Sequence, residues 1–271
     1  MVKNNGKNMF RRLAKTLFKL IPAESELLYT AAIRYVNRYR SDNNSDSVTN
    51  GEERLLRKVL PALGKRGVIF DVGAHVGNWS KYCLSVESNL ELHLFEPSKN
   101  TFEKLSENSW PASAHLNNYG LGDKNELLEL NIVDSASGMN SLHKRHGVIN
   151  AAVRAVEQIK ITTLDEYCEK NGIHKIDFLK VDVEGHELAV FRGAKRMLER
   201  SAIDLIQFEY GGCNLDARVY LLDIWKYLAS NGYHIAKIFP DSIRYLSEYE
   251  QSLETFQYSN YIASLRKQET R

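Results

Sequence analysis

The residues best placed to do chemistry are acids and glycines that follow short apolar runs. The clearest set is Asp71-Val72-Gly73-Ala74-His75-Val76-Gly77, directly after Val68-Ile69-Phe70. A short apolar run followed by two glycines four apart predicts a buried strand that turns tightly into a helix, with backbone open to a ligand. The helix from Asn78 then presents unpaired N–H groups and the positive end of its dipole, which suits a carboxylate or a phosphate. Asp71 at the mouth disfavours a phosphate and suits a ligand that also carries an ammonium group. The spacing is not GxGxxG, and no Lys-Ser/Thr follows, so neither a dinucleotide fingerprint nor a P-loop is present. Glu96-Pro97 closes the next apolar run, Glu91 to Phe95. An acid roughly 20 residues beyond a glycine turn commonly accepts the two hydroxyls of a ribose.

A third group is Lys180-Val181-Asp182-Val183-Glu184-Gly185-His186-Glu187. If the strand extends this far, Lys180, Asp182 and Glu184 share one face, and burying three charges requires that they pair or bind something. Asp182 is the residue expected nearest a reacting group. Glu209, ending the run Ile203 to Tyr210, adds another acid at the same edge. For transfer to a hydroxyl, His186 or Asp182 serves as base, His186 because its free pKa lies near neutrality. In the alternative, Asp182, Glu184 and Glu209 hold a divalent metal that lowers the pKa of bound hydroxyls. The metal-free version is preferred.

These residues need a scaffold that brings strand ends together. Strand-type runs (68–72, 91–97, 114–118, 176–183, 203–210, 234–239) alternate with helical periodicity, which predicts a three-layer α/β fold with a mostly parallel sheet. Ligands then bind beyond the carboxyl ends of the strands, where the acids and glycines lie. Runs 127–133 and 157–161 predict further strands around a polar loop, 134–150, placed to cover an acceptor. Residues 258–265 predict a last strand.

The first 40 residues carry Lys3, Lys7, Arg11, Arg12, Lys15, Lys19, Arg34, Arg38 and Arg40 against only Glu24 and Glu26. Helical spacing is present over 9–21 and again over 25–39. Ser41 to Gly51 is polar and predicts a linker, so 1–50 is expected as a helical extension and 51–271 as the main domain. The basic helix 9–21 packs its apolar stripe on that domain in the preferred reading; the other is peripheral contact with an anionic membrane. No apolar run spans a membrane, and no secretory leader is evident. Cys83, Cys168 and Cys213 are far apart and odd in number, which predicts free thiols and a cytoplasmic location. The net charge of +2 gives no reason to expect a nucleic-acid partner, and the main domain is not basic.

Five segments, in order, resemble the FkbM family of methyltransferases over residues 68–210. They are Phe70 to Ala74, Phe95-Glu96-Pro97, Asn118 to Asp123, Thr163 to Tyr167, and Lys180 to Glu187. The family usually has an asparagine where His75 stands and an alanine where Gly120 stands; neither departure touches the glycine turn. The resemblance implies a Rossmann-like class I methyltransferase fold, with a mostly parallel seven-stranded sheet, helices on both faces and an antiparallel last strand. It implies S-adenosylmethionine as donor and a hydroxyl of a sugar, glycan or small-molecule natural product as acceptor. By position, Asp71, Gly73 and Gly77 would hold the methionine end, Glu96 the ribose, and Gly120 and Leu121 the adenine. An inactive binding module of this fold is disfavoured by the intact acids at 71, 96 and 182. An NAD-dependent oxidoreductase is disfavoured by the missing GxGxxG. The residues leave the individual acceptor and the oligomeric state open.

Overall fold

The computed structural model describes Lys19 and residues 24–64, 66–133, 138, 140–146 and 152–266. The expected basic helix 9–21 lies outside them, apart from Lys19. The chain divides into two compact units, Met1–Asp42 and Asn43–Arg271. In the first, α1 (Glu26–Arg40) starts at Ser25, whose side chain accepts the Leu28 N–H, and stops where Ser41 turns left-handed; none of its residues is buried. No helix among the described residues is long and apolar enough to cross a membrane.

The second unit begins inside the segment read from sequence as a linker. Asp46 caps the short helix α2 (Ser47–Asn50), and α3 (Glu52–Val59) follows at once. The buried Glu52 carboxylate accepts from Asn50 Nδ2 at 2.6 Å, Asn260 Nδ2 at 2.7 Å and Gln207 Nε2 at 2.8 Å. A buried carboxylate needs such donors, and this need draws a polar stretch into the body of the protein.

The strands are β1 (Gly67–Val72), β2 (Leu90–Phe95), β3 (Ala114–Asn117), β4 (Gly120–Leu121), β5 (Glu126–Ile132), β6 (Ala155–Thr162), β7 (Ile176–Val181), β8 (Ile203–Tyr210), β9 (His234–Ile238), β10 (Ile243–Tyr245) and β11 (Ser259–Ser264). Eight form the main sheet in the order β10-β9-β11-β8-β7-β1-β2-β3, and β4-β6-β5 form a second sheet. The strands from β3 to β8 in that order run parallel, and β11 runs antiparallel between β8 and β9. The seven strands expected for the main sheet are all there; β10 is an eighth, added as a hairpin on β9. The runs around 127–133 and 157–161 pair with each other and with β4 instead.

The connecting helices are α4 (Asn78–Val86), α5 (Lys99–Ser106), α6 (Leu164–Asn171), α7 (Glu187–Gly193), α8 (Lys195–Glu199), α9 (Gly212–Ala217) and α10 (Leu221–Ser230). Strand alternation divides the core in two. Ile69, Leu92 and Leu94 pack with Leu55, Cys83 and Leu105 on one face. Phe70, Val72 and Phe95 pack with Tyr167, Leu188 and Ile224 on the other. All three cysteines are free and buried.

Glu52→Ala strands the buried amides of Gln207 and Asn260. It is expected to lower the unfolding free energy by about 1–3 kcal/mol, read from a urea titration, with Glu52→Gln between it and the parent.

Candidate functional site

The site forms where β1, β2 and β7 end side by side. Asp182 N–H donates to the Val72 carbonyl at 3.0 Å, and the N–H groups of Gly73 and Ala74 both donate to the Phe95 carbonyl, at 3.0 and 2.9 Å. Gly73 adopts φ +85°, and a β-carbon there would lie 1.8 Å from the Asp182 carbonyl oxygen. Only glycine permits both the left-handed turn and this approach of two backbones.

A cavity of about 310 Å³ opens over these ends, within the usual size of small-molecule sites. Gly73, His75, Glu96 and Pro97 line one part, and Gly120 and Leu121 lie near them in the lining. Asp182, Glu184, His186, Glu209 and Tyr258 also line it, and Leu130, Ile159 and Ile161 of the second sheet give it an apolar wall. A second cavity of about 430 Å³ includes Ser45, Ser47, Glu52, Asn78, Trp79, Tyr82 and Lys180 in its lining. The two share Gly73, His75, Asp182 and Tyr258.

Glu96 is positioned by the backbone around it. Its Oε2 accepts the His75 N–H at 3.0 Å and its Oε1 the Ser98 N–H at 2.9 Å. Each oxygen keeps a lone pair for a ligand hydroxyl. Burial pushes its carboxyl up to about 7, against the pull of those two N–H groups.

The expected common face of Lys180, Asp182 and Glu184 is only partly realised. β7 stops at Val181, and Glu184 (φ +52°) and Gly185 (φ +101°) turn left-handed in succession. Lys180 Nζ lies 3.1 Å from Asp182 Oδ2 and 3.4 Å from Asp71 Oδ1. Burial alone would depress this lysine, but Asp182, Asp71 and Glu52 outweigh it and keep the ammonium charged. Glu184 turns to Arg145 instead, at 2.6 Å. Glu187 ties the turn together by accepting the N–H groups of Val183 and Gly185 and the Asn214 side-chain amide.

The result is a patch dense in carboxylates. Burial, reinforced by the charges of Asp182, Glu184 and Glu187, pushes Glu209 well above the usual range, and Glu209 shares a hydrogen bond with Asp182. Burial and the Asp182 charge lift Glu184 to about 8, and burial lifts Glu187 to about 7. Ligand atoms of Glu184, Glu209 and Cys213 lie within 4.8 Å of one another. The half-buried Arg145 and the buried Lys180 already supply positive charge at this patch.

Three of the sequence-predicted residues are placed otherwise than expected. Asp71 lines neither cavity. It lies inside β1 and accepts from Ser80 Oγ at 2.7 Å with one oxygen, while the other meets Lys180. Gly77 lines neither cavity; it packs under Trp110 and starts α4. His186 does line the first cavity, but burial, then His143, lowers it to about 4, so it does not titrate near neutrality. Gly73, Glu96, Gly120, Leu121, Asp182, His186 and Glu209 come together as expected. Within 134–150, Gly138, Asn140 and Leu142 reach the cavity, and Ser141 Oγ donates to the Glu184 carbonyl; 134–137, 139 and 147–150 lie outside the described residues.

The family model for the methyltransferase FkbM domain matches residues 71–235. The chain belongs to the FkbM methyltransferase family. It is 29% identical over 163 residues to the hexuronic acid methyltransferase AglP of Haloferax volcanii, covering 59% of this chain and 64% of that one. It is 26% identical over 157 residues to the 2-O-methyltransferase NoeI of Sinorhizobium fredii, covering 54% and 65%. The chain therefore spans just under two thirds of the length of these relatives. A solved structure of the plantazolicin methyltransferase BamL superposes at TM-score 0.47 and 10% identity, over 88% of this chain and 91% of that one.

The matched span contains every cavity residue named above that the sequence singled out. Tyr258, which lines both cavities, lies beyond it. No local motif marks Tyr258. The signal is topological: β11 runs antiparallel, with Asn260 opposite Glu209, so its first residues fall at the carboxyl edge of the parallel strands.

Lys180→Met leaves Asp71 buried with no counter-charge and is expected to cost about 3–5 kcal/mol of stability in urea unfolding at neutral pH. The double variant Asp71→Asn/Lys180→Met should recover most of that loss. A double variant as unstable as the single one would show that Lys180 does not serve to neutralise Asp71.

Proposed function

We propose that the chain transfers a methyl group from S-adenosylmethionine to a hydroxyl of a sugar. The observation that carries this reading is one cavity that joins Glu96, the Gly73 turn and Asp182. The residues fit such a donor. Glu96 has free lone pairs for the ribose hydroxyls, Gly120 beside Pro97 and Leu121 offer an apolar bed for a base, and Asn78 at the start of α4 lines the adjoining cavity where an amino acid carboxylate would meet helix N–H groups. S-adenosylmethionine, when bound, supplies an electrophilic methyl group.

The chain's own residues orient the partners and take up the proton. Asp182, common to both cavities and held by Lys180, is the base that accepts the hydroxyl proton. Glu209, pushed well above the usual carboxylate range by burial, shares a hydrogen bond with Asp182 that keeps that carboxylate aimed. His186, neutral at this pH, is a wall of the site rather than its base. Alignment within such a site can contribute about 7–11 kcal/mol.

Both relatives carry names of methyltransferases, one for a hexuronic acid and one for a 2-O position. Away from Asn78, Trp79 and Tyr82 with Ser45 and Ser47 give the second cavity the mix of rings and polar groups that a sugar needs. Its acids matter for the choice of sugar. Glu52, Glu53 and Asp182 line it with Lys180 as the cation, and a hexuronate would meet like charge, so a neutral sugar is favoured.

Calorimetry should give saturable binding of S-adenosylmethionine and none of NAD; the reverse would refute the reading. Glu96→Gln should weaken donor binding about tenfold or more. Because Glu96 sits near 7, donor affinity of the parent should fall as pH drops below about 7, where this carboxylate gains a proton, and the variant should lack that slope. With neutral glycosides and matching uronides as acceptors, release of S-adenosylhomocysteine should be faster for the neutral set and collapse in Asp182→Asn. Faster turnover of uronides would overturn the charge argument.

A further inference from the structure

We propose that Glu91, His93 and His115 form a binding site for a single divalent transition-metal ion of the zinc class, on the flank of the sheet and apart from the cavities. Glu91 and His93 are two apart in β2 and so project to the same face. His115 is the register partner of His93 across the parallel pair β2 and β3. Their ligand atoms lie within 4.8 Å of one another. His93 Nε2 is 3.4 Å from Glu91 Oε1, and His115 Nε2 is 4.0 Å from the same oxygen.

Zinc takes nitrogen and carboxylate oxygen at about 2.0–2.2 Å, so neighbouring ligands of a tetrahedral ion stand roughly 3.4 Å apart. One edge of the triangle already has that length. The two edges that involve His115 close with a rotation of that side chain, which is half exposed. His93 supplies the independent sign that something is missing. It is 3% exposed, and its Nε2 is buried with no hydrogen-bond partner. A buried ring nitrogen without a hydrogen bond is costly, and this one lies 3.4 Å from a carboxylate oxygen with a second imidazole stacked beside its ring.

The surroundings match a metal site as well. The other nitrogen of His93, Nδ1, hydrogen-bonds Tyr167 Oη at 2.7 Å, which fixes the ring as partners behind ligating histidines do. Arg66 Nε holds the second carboxylate oxygen of Glu91 at 3.2 Å and leaves Oε1 for the cluster. The imidazoles of His93 and His115 stack at 4.7 Å with 14° between their planes, so the half-exposed His115 turns out of the stack to bring its Nε2 lone pair onto an ion held by His93. Three protein ligands leave the fourth position to water on the exposed side of His115. The ion would clamp β3, the last strand of the sheet, to β2. Beyond these strands lie Glu96 and the segment that runs to Gly120, so the clamp would stiffen one wall of the cavity without entering it.

The test uses the untagged full chain, stripped with a chelator and titrated with zinc ions by calorimetry, and with cobalt ions by visible absorption. The expected result is one ion per chain at micromolar or tighter affinity, a higher thermal midpoint on loading, and cobalt bands of a four-coordinate site. His115→Ala and Glu91→Gln, both at solvent-accessible positions, should each weaken binding about tenfold or more. Glu209→Gln should leave it unchanged, which separates this site from the Glu184, Glu209 and Cys213 group. No saturable binding at micromolar zinc, unchanged binding in both His115→Ala and Glu91→Gln, or loss only in Glu209→Gln would each overturn the proposal.

Discussion

One buried cation organises the carboxyl edge of the sheet. Lys180 stands opposite Asp71 in the pairing of β1 with β7, and its ammonium reaches both Asp71 and Asp182. Removing a charge from water is tolerated only when partners replace the solvent, and here two carboxylates and the ring of Trp79 do so. The pairing fixes Asp182 at the junction of the two cavities. It also accounts for an acid in the middle of an otherwise apolar strand, since Asp71 neutralises the lysine on one side while Ser80 anchors it to α4.

The same electrostatics shape the acid patch beyond Asp182. Four carboxylates, from Asp182, Glu184, Glu187 and Glu209, crowd a volume that admits few charges. The patch answers in three ways. Arg145 pairs with Glu184, backbone N–H groups and Asn214 satisfy Glu187, and Glu209, pushed well above the usual range, shares a hydrogen bond with Asp182. Groups that interact this strongly release their protons as a set rather than singly.

Much of this was legible from the residues. The alternation of strand and helix places Gly73, Glu96, Asp182 and Glu209 at strand ends, and strand ends on one edge must meet. The fate of Asp71 was legible in principle too. Alternation puts it on the face of Ile69, under α4, and only its closeness to the glycines suggested a ligand. The rest depended on distance along the chain. The polar stretch 43–50 reads as a linker until Glu52 is seen bonded to Gln207 and Asn260, more than 150 positions away. Tyr258 joins the site through the direction of β11. His186 lost its near-neutral titration to burial against Gly122 and to the neighbouring His143, a property of packing that no motif carries.

The account rests on Glu96 and Asp182 marking the two ends of one donor site, with the Gly73 turn between them. A crystal structure of the protein with S-adenosylhomocysteine tests this most directly. The account predicts both ribose hydroxyls on the Glu96 carboxylate, the base against Leu121 and the sulfur beside Asp182. A nucleoside bound elsewhere, or a sulfur remote from Asp182 with the ribose turned away from Glu96, would contradict it.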